Sequence, residues 1–229
     1  MIKAVRNRRH LALLVVLLTV AILEPLAARI NERVLLVGVS VAVVINVGVL
    51  MVIFERRWER LLGLFLIALI FGADILHELS SYAAATIFYH CSAALFLAFA
   101  VAVILIRIFQ RQTIRTDDVI GALCGYLLAA AAWGNLYAIA YFFWPASFRI
   151  ADPIASQFGN WQLQRFFFDY FSVMTLTTMG FSDIAPAAMP VYSLTWVESV
   201  FGQFYIAVVV AQLVGLRLAQ AIKPGGSAL

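Results

Sequence analysis

Between Asp169 and Asp183 the chain reads Asp-Tyr-Phe-Ser-Val-Met-Thr-Leu-Thr-Thr-Met-Gly-Phe-Ser-Asp. Residues 165–177 form an apolar, helix-like run that is too short to cross a bilayer, which takes roughly 20 residues. Residues 178–182 have little helical character. Irregular backbone at membrane depth is tolerated only where it is buried in protein or lines a watery path. A half-helix followed by an extended strand, set between two spanning helices, meets that condition as a re-entrant loop. Its chemistry is that of main-chain oxygens. An alkali cation entering a narrow passage loses water, and rings of backbone carbonyls can replace it. Successive carbonyls point one way only if the backbone alternates with left-handed conformations, which glycine adopts at little cost. Gly180 is placed for that role. A threonine hydroxyl at the inner end, Thr178, adds a further ring. The half-helix turns its negative C-terminal end toward the waiting ion.

The elements that must hold this loop are read from composition and charge. Of 229 residues, 64% are hydrophobic and 12% charged. A soluble domain carries about 25% charged residues, so the chain reads as an integral membrane protein. Apolar segments fall at about 11–30, 33–54, 61–78, 83–106, 118–144 and 190–216, the last running on to 222. The basic residues divide by loop. Lys3, Arg6, Arg8, Arg9, Arg56, Arg57, Arg60, Arg107, Arg111, Arg115, Arg217 and Lys223 fall on one side. Arg29, Arg33, Arg149 and Arg165 fall on the other, a division of 12 against 4 among 16. The richer side is the cytoplasm. Six crossings return both termini to it, so a multi-pass protein of the cell (inner) membrane is expected. Lys3 to Ala28 also fits the pattern of a cleaved leader; a retained first helix is the expectation. Trp144, Trp161 and Trp196 lie near the expected membrane boundaries.

The domain reading follows. Residues 1–106 form a four-helix peripheral region, and 107–117 an interfacial linker. Residues 118–222 form a pore domain: outer helix 118–144, pore helix 165–177, filter 178–182 and inner helix 190–222. The fold class is all-α and membrane-integral.

The loop resembles the signature of potassium channels, T-x-x-T-x-G-[YF]-G-D, through Thr175, Thr178, Gly180, Phe181 and Asp183. The resemblance is to tetrameric P-loop cation channels, in particular bacterial potassium-channel-like proteins. It extends over Gly121-Ala122-Leu123 and Trp133 of the fifth apolar segment, and over Glu198 to Gly215 of the sixth. Helices one to four match only in number and spacing. The resemblance implies a homotetramer with C4 symmetry that conducts K+ passively. Thr178, Met179, Gly180 and Phe181 would offer the K+-coordinating oxygens, with Ser182 closing the filter. Tyr170 would hydrogen-bond Asp183 from behind the filter. Gly202 would allow the inner helix to bend, and Gln203, Ile206 and Val210 would line the cavity and gate. Ser182 departs from the pattern, which has a second glycine there. Serine in a left-handed conformation costs on the order of 1 kcal/mol, so the outer site is expected to be wider and selectivity less sharp.

Other features have plainer readings. Glu198 lies inside an apolar run, where an acid is expensive. It reads either as a hydrogen-bonding support behind the loop or as a protonatable gate element, and the support is preferred. Asp74, His77 and Glu78, with His90, read as a solvated helix end rather than a metal site. Segment 83–106 has no Arg or Lys, which argues against voltage sensing of the arginine-ladder kind. Cys91 and Cys124 read as buried thiols rather than a disulfide. No nucleophile–base pair, nucleotide fingerprint or basic–aromatic stripe appears, so neither an enzyme nor a nucleic-acid binder is expected. No cofactor is expected beyond permeant ions. The competing readings are a non-selective Na+/K+ channel and a non-conducting membrane scaffold or sensor.

Overall fold

A computed structural model describes residues 9–30, 48, 53–80, 83–180 and 183–222. The chain is mostly helical. Helix α1 spans Arg9–Ile30, α2 Arg57–Ser80, α3 Ala83–Gln110 and α4 Thr116–Phe143. A short 3-10 turn at Pro145–Ser147 leads into strand β1, Phe148–Ile150. The one-turn helix α5 (Asp152–Ala155) and then α6 (Trp161–Leu176) follow, before strand β2 (Ile184–Pro186) and the long helix α7 (Met189–Ile222). Among the described residues four helices are long and apolar enough to cross a membrane: α2, α3, α4 and α7. The expected span at 33–54 lies outside the described residues apart from Gly48, Ile53 and Phe54.

Side-chain pairs at the helix ends fix the directions. At one end Arg9 pairs with Glu55 at 2.5 Å, and His10 at the start of α1 meets Asp117 at the start of α4 at 2.8 Å. Arg107 near the end of α3 pairs with Glu59 at the start of α2 and donates to the carbonyl of Ile53. At the other end His77 of α2 meets Thr86 of α3 at 3.1 Å. His90 of α3 meets Asn135, near the end of α4, at 2.8 Å. So α2, α3 and α4 alternate in direction. The linker Arg111–Arg115 is too short to carry α3 away from its own α4. Two acids open α4, where negative charge suits the positive helix end. One of them, Asp118, accepts from the Arg115 N–H at 2.9 Å as a capping box.

Among the described residues three buried clusters result, the smallest being Ala73, Tyr89 and Ala93 with Trp161 packed against them. Leu13, Phe54, Leu66, Ile104, Leu128 and Val209 belong to one that joins α1, α2, α3, α4 and α7. The second is mostly aromatic and joins α4, β1, α6 and β2, with Tyr137, Phe148, Phe158, Phe168, Phe171 and Ile184. Tyr137 and Phe171 meet edge to face with centroids 4.8 Å apart. Strands β1 and β2 pair antiparallel, with Arg149 opposite Ala185. The ladder continues through Ala151 N–H to Asp183 O (2.8 Å) and Ala187 N–H to Ser147 O (2.7 Å). The loop leaving α4 thereby pins the chain at Asp183 and Ala187, between α6 and α7.

Candidate functional site

Helix α6 has 16 residues, about 24 Å at 1.5 Å each, short of the roughly 30 Å hydrocarbon core. It starts four residues before the expected 165 and stops at Leu176. Its end is the part the chain treats with most care. The last four carbonyls of a helix have no partner within it. Here each is supplied. Val173 O accepts from the Thr177 N–H (3.0 Å) and hydroxyl (2.6 Å). Met174 O accepts from Met179 N–H at 2.9 Å, and Thr175 O from Thr178 N–H at 3.0 Å. Those two bonds make a Schellman motif, which requires a left-handed residue just past the helix. Thr178 occupies that position with φ 58. A β-branched residue there is strained by roughly 1–2 kcal/mol, and such strain is held in place only by surrounding structure. Ser199 of α7 adds a long bond to Thr175 O at 3.4 Å. Leu176 O, the last, accepts from the Tyr126 hydroxyl of α4 at 2.8 Å.

Gly202 of α7 stands against the same carbonyl. A Cβ at Gly202 would run into Leu176 O, so only glycine lets α7 approach the end of α6 this closely. Helix α7 is continuous through this point. The expected bend at Gly202 therefore has a packing requirement beside it.

Thr178, Met179 and Gly180 are exposed. Gly180 has φ +68, and nothing lies within 4 Å of where its Cβ would be. Left-handed residues thus stand at 178 and 180 with Met179 between them. Phe181 and Ser182 lie outside the described residues. Asp183 is exposed, and Tyr170 and Thr175 are half-buried. Among the described residues no hydrogen bond joins Tyr170 to Asp183; Asp183 is held instead through its carbonyl, by Ala151. A cavity of 320 Å³ lies behind the loop, lined by Phe171, Thr175, Thr178, Ile184, Thr195 and Ser199 among others.

Helix α7 is two-faced. Glu198, Gly202, Tyr205, Val209 and Leu213 are buried, at spacings of three and four that make one stripe. Gln203, Ile206 and Val210 are exposed on another face. Gln203 reaches back, its Nε2 donating to Thr178 Oγ1 at 3.3 Å. Glu198 is fully buried and meets Ser172 of α6 and Tyr137 of α4.

Some residues that hold the site carry no sequence signal. His90 is buried, so the solvated-end reading fails for it. Trp161 opens α6 and packs against His77, His90 and Tyr89, while Arg165 donates to the Tyr89 hydroxyl at 2.6 Å. Cys124 is buried and Cys91 exposed, and both are free thiols.

Residues 123–216, from α4 through α6 to α7, match a family model described as "Ion channel". The match covers less than half of the chain and makes that part similar to ion channels; with four helices of spanning length among the described residues, the chain is a multi-pass membrane protein. No curated protein and no solved structure matches it.

Proposed function

We propose that the chain is one subunit of a potassium-selective channel, four copies surrounding an axis lined by Thr178, Met179, Gly180 and Phe181. The observation that carries this reading is the end of α6. A half-length helix spends all four of its terminal carbonyls inside its own chain and then hands over to an exposed segment with left-handed residues at 178 and 180. The first carbonyls left to face an ion are those of the filter segment. One segment supplies a quarter of each oxygen ring, so a closed fourfold assembly completes it. The exposed face of α7 with Gln203, Ile206 and Val210 would then line the inner cavity.

The ends of the helices support the orientation. Arg9, Arg107 and Arg111 gather with Glu55, Glu59 and Asp118 at the end that also holds the chain's arginine-rich loops, and this end would face the cytoplasm.

A second reading, a non-selective cation channel, is favoured by Ser182 where the signature has glycine. Purified protein in liposomes separates the readings. A K+ gradient should drive Ba2+-sensitive flux, and a Na+ gradient much less. Equal K+ and Na+ flux would replace selectivity by the second reading, and no flux under either gradient would leave a scaffold.

A further inference from the structure

We infer that Glu198 is held as a neutral carboxylic acid whose proton is donated to Ser172, and that this bond positions the pore helix; its effect on conduction rests on the channel reading above. The inference is a count of protons. Three oxygen–oxygen contacts of hydrogen-bond length meet at this point: Tyr137 Oη with Glu198 Oε2, Ser172 Oγ with Glu198 Oε1, and Ser172 Oγ with the carbonyl of Ala130 at 2.7 Å. Each contact needs one hydrogen between its oxygens, since two lone pairs facing at that distance repel. A hydroxyl carries one proton and a carbonyl none. The Tyr137 hydroxyl supplies the first contact. The Ser172 hydroxyl can supply one of the other two. The Ala130 carbonyl has nothing to give, so Ser172 donates to Ala130 and the proton of the remaining contact sits on Glu198.

The surroundings agree. Glu198, Ser172 and Tyr137 are each 0% exposed. Among the described residues no ion pair includes Glu198; those that Glu55, Glu59, Asp117 and Asp118 form lie at the opposite, arginine-rich end. A lone carboxylate in such a place is costly, whereas a neutral acid that donates once and accepts once is satisfied. The chain Tyr137 to Glu198 to Ser172 to Ala130 then has a single direction. It ties α4 to α7 to α6 and back to α4, one turn of α7 above Gly202.

Glutamine reproduces that pattern, with an amide N–H for Ser172 and a carbonyl for Tyr137. An ionised glutamate would accept from both, a pattern glutamine cannot copy. The test uses the full-length assembly in liposomes. In the infrared difference between wild type and Glu198→Gln, a protonated-carboxyl C=O band should be present in the wild type alone. Glu198→Ala should cut K+ flux by about tenfold or more, the scale of one lost buried hydrogen bond with its partners left unpaired, and Glu198→Gln should recover it. Absence of the band overturns the inference whatever the flux. So does a Glu198→Gln assembly of normal size that conducts no better than Glu198→Ala. A wild type that shows the band but conducts no ion sinks the channel reading and leaves the protonation state standing.

Discussion

The indole of Trp161 stacks on the imidazole of His77, centroids 4.7 Å apart and planes 27° from parallel. One is the first residue of the half-length helix α6 and the other belongs to α2. The stack is the centre of a larger knot. His90 lies 5.0 Å and Tyr89 5.1 Å from the same indole, both on α3. Arg165, one turn on, donates to Tyr89 and stands over its ring at 6.0 Å. His90 in turn holds Asn135 of α4. Helices α2 and α3 therefore grip the first turn of α6, while α4 and α7 grip its last.

Trp161→Ala removes three ring contacts at once. Aromatic pairs are worth about 0.5–1.5 kcal/mol each beyond their area, and truncating a large aromatic costs about 3–5 kcal/mol. For this half-buried ring a loss of about 3 kcal/mol is expected. Thermal unfolding of the detergent-solubilised assembly should shift down by several degrees. Hydrogen exchange at the start of α6 should rise more than at its end. An unchanged melting temperature would show that α2 and α3 bear no load on α6.

Gly202→Ala tests the inner grip. The new methyl group would meet the Leu176 carbonyl, so α7 must move out or α6 must move up. Overpacking of this kind costs about 1–3 kcal/mol. Tyr126→Phe is the companion change: it deletes the hydroxyl that satisfies the same carbonyl and should cost about 1–2 kcal/mol. Because both act on Leu176 O, their effects should not add in the double variant. Simple additivity in melting or urea titration would mean that the two act at separate places.

The division between what was legible and what was not follows from chain length. A bilayer enforces spans of about 20 residues, so α2, α3, α4 and α7 stand out from composition, and the shortness of 165–177 stands out against them. The order of the Thr, Gly and Asp residues was likewise local. The strand pair was not: Phe148-Arg149-Ile150 and Ile184-Ala185-Pro186 are three residues each, too few to carry a period of two. His90 looked like part of a solvated helix end because its burial comes from Trp161, 71 positions away and visible only once α6 is folded back. Gly202 suggested a hinge, since the Leu176 carbonyl that excludes any side chain belongs to another element.

Gly180→Ala separates conformation from space. Nothing stands within 4 Å of the added carbon, yet φ is +68. The penalty is then that of the left-handed backbone alone, about 1–2 kcal/mol. Assembly should survive, because Gly180 touches α6 only through its own N–H, a long bond to Met174 O at 3.4 Å that alanine can also make. The segment should relax toward negative φ and turn a carbonyl away. The reversal potential under opposed K+ and Na+ gradients should move toward the non-selective value. A variant with unchanged selectivity would remove Gly180 from the ion path.

The arginine-rich end predicts a dependence on acid. Partial burial pushes the Glu55 carboxyl up, but the hydrogen bond from Arg9 and the charges of Arg9, Arg107 and Arg111 outweigh it, leaving it below its ordinary value of 4.5. A carboxyl lowered in the folded state binds its proton less readily there than in the unfolded chain. Its contribution to stability is therefore complete above 4.5 and is lost as the pH falls through the lowered folded value. Because Glu55 is more than half exposed, the contribution is reduced by solvent and falls further with salt. Glu55→Gln should leave Arg9 and Arg107 without this partner, lower the melting temperature slightly at neutral pH and flatten its decline as the pH falls below 4.5. Raising ionic strength should narrow the gap between wild type and variant. Parallel acid profiles for the two proteins, at low salt, would show that the Arg9–Glu55 pair carries none of the acid sensitivity.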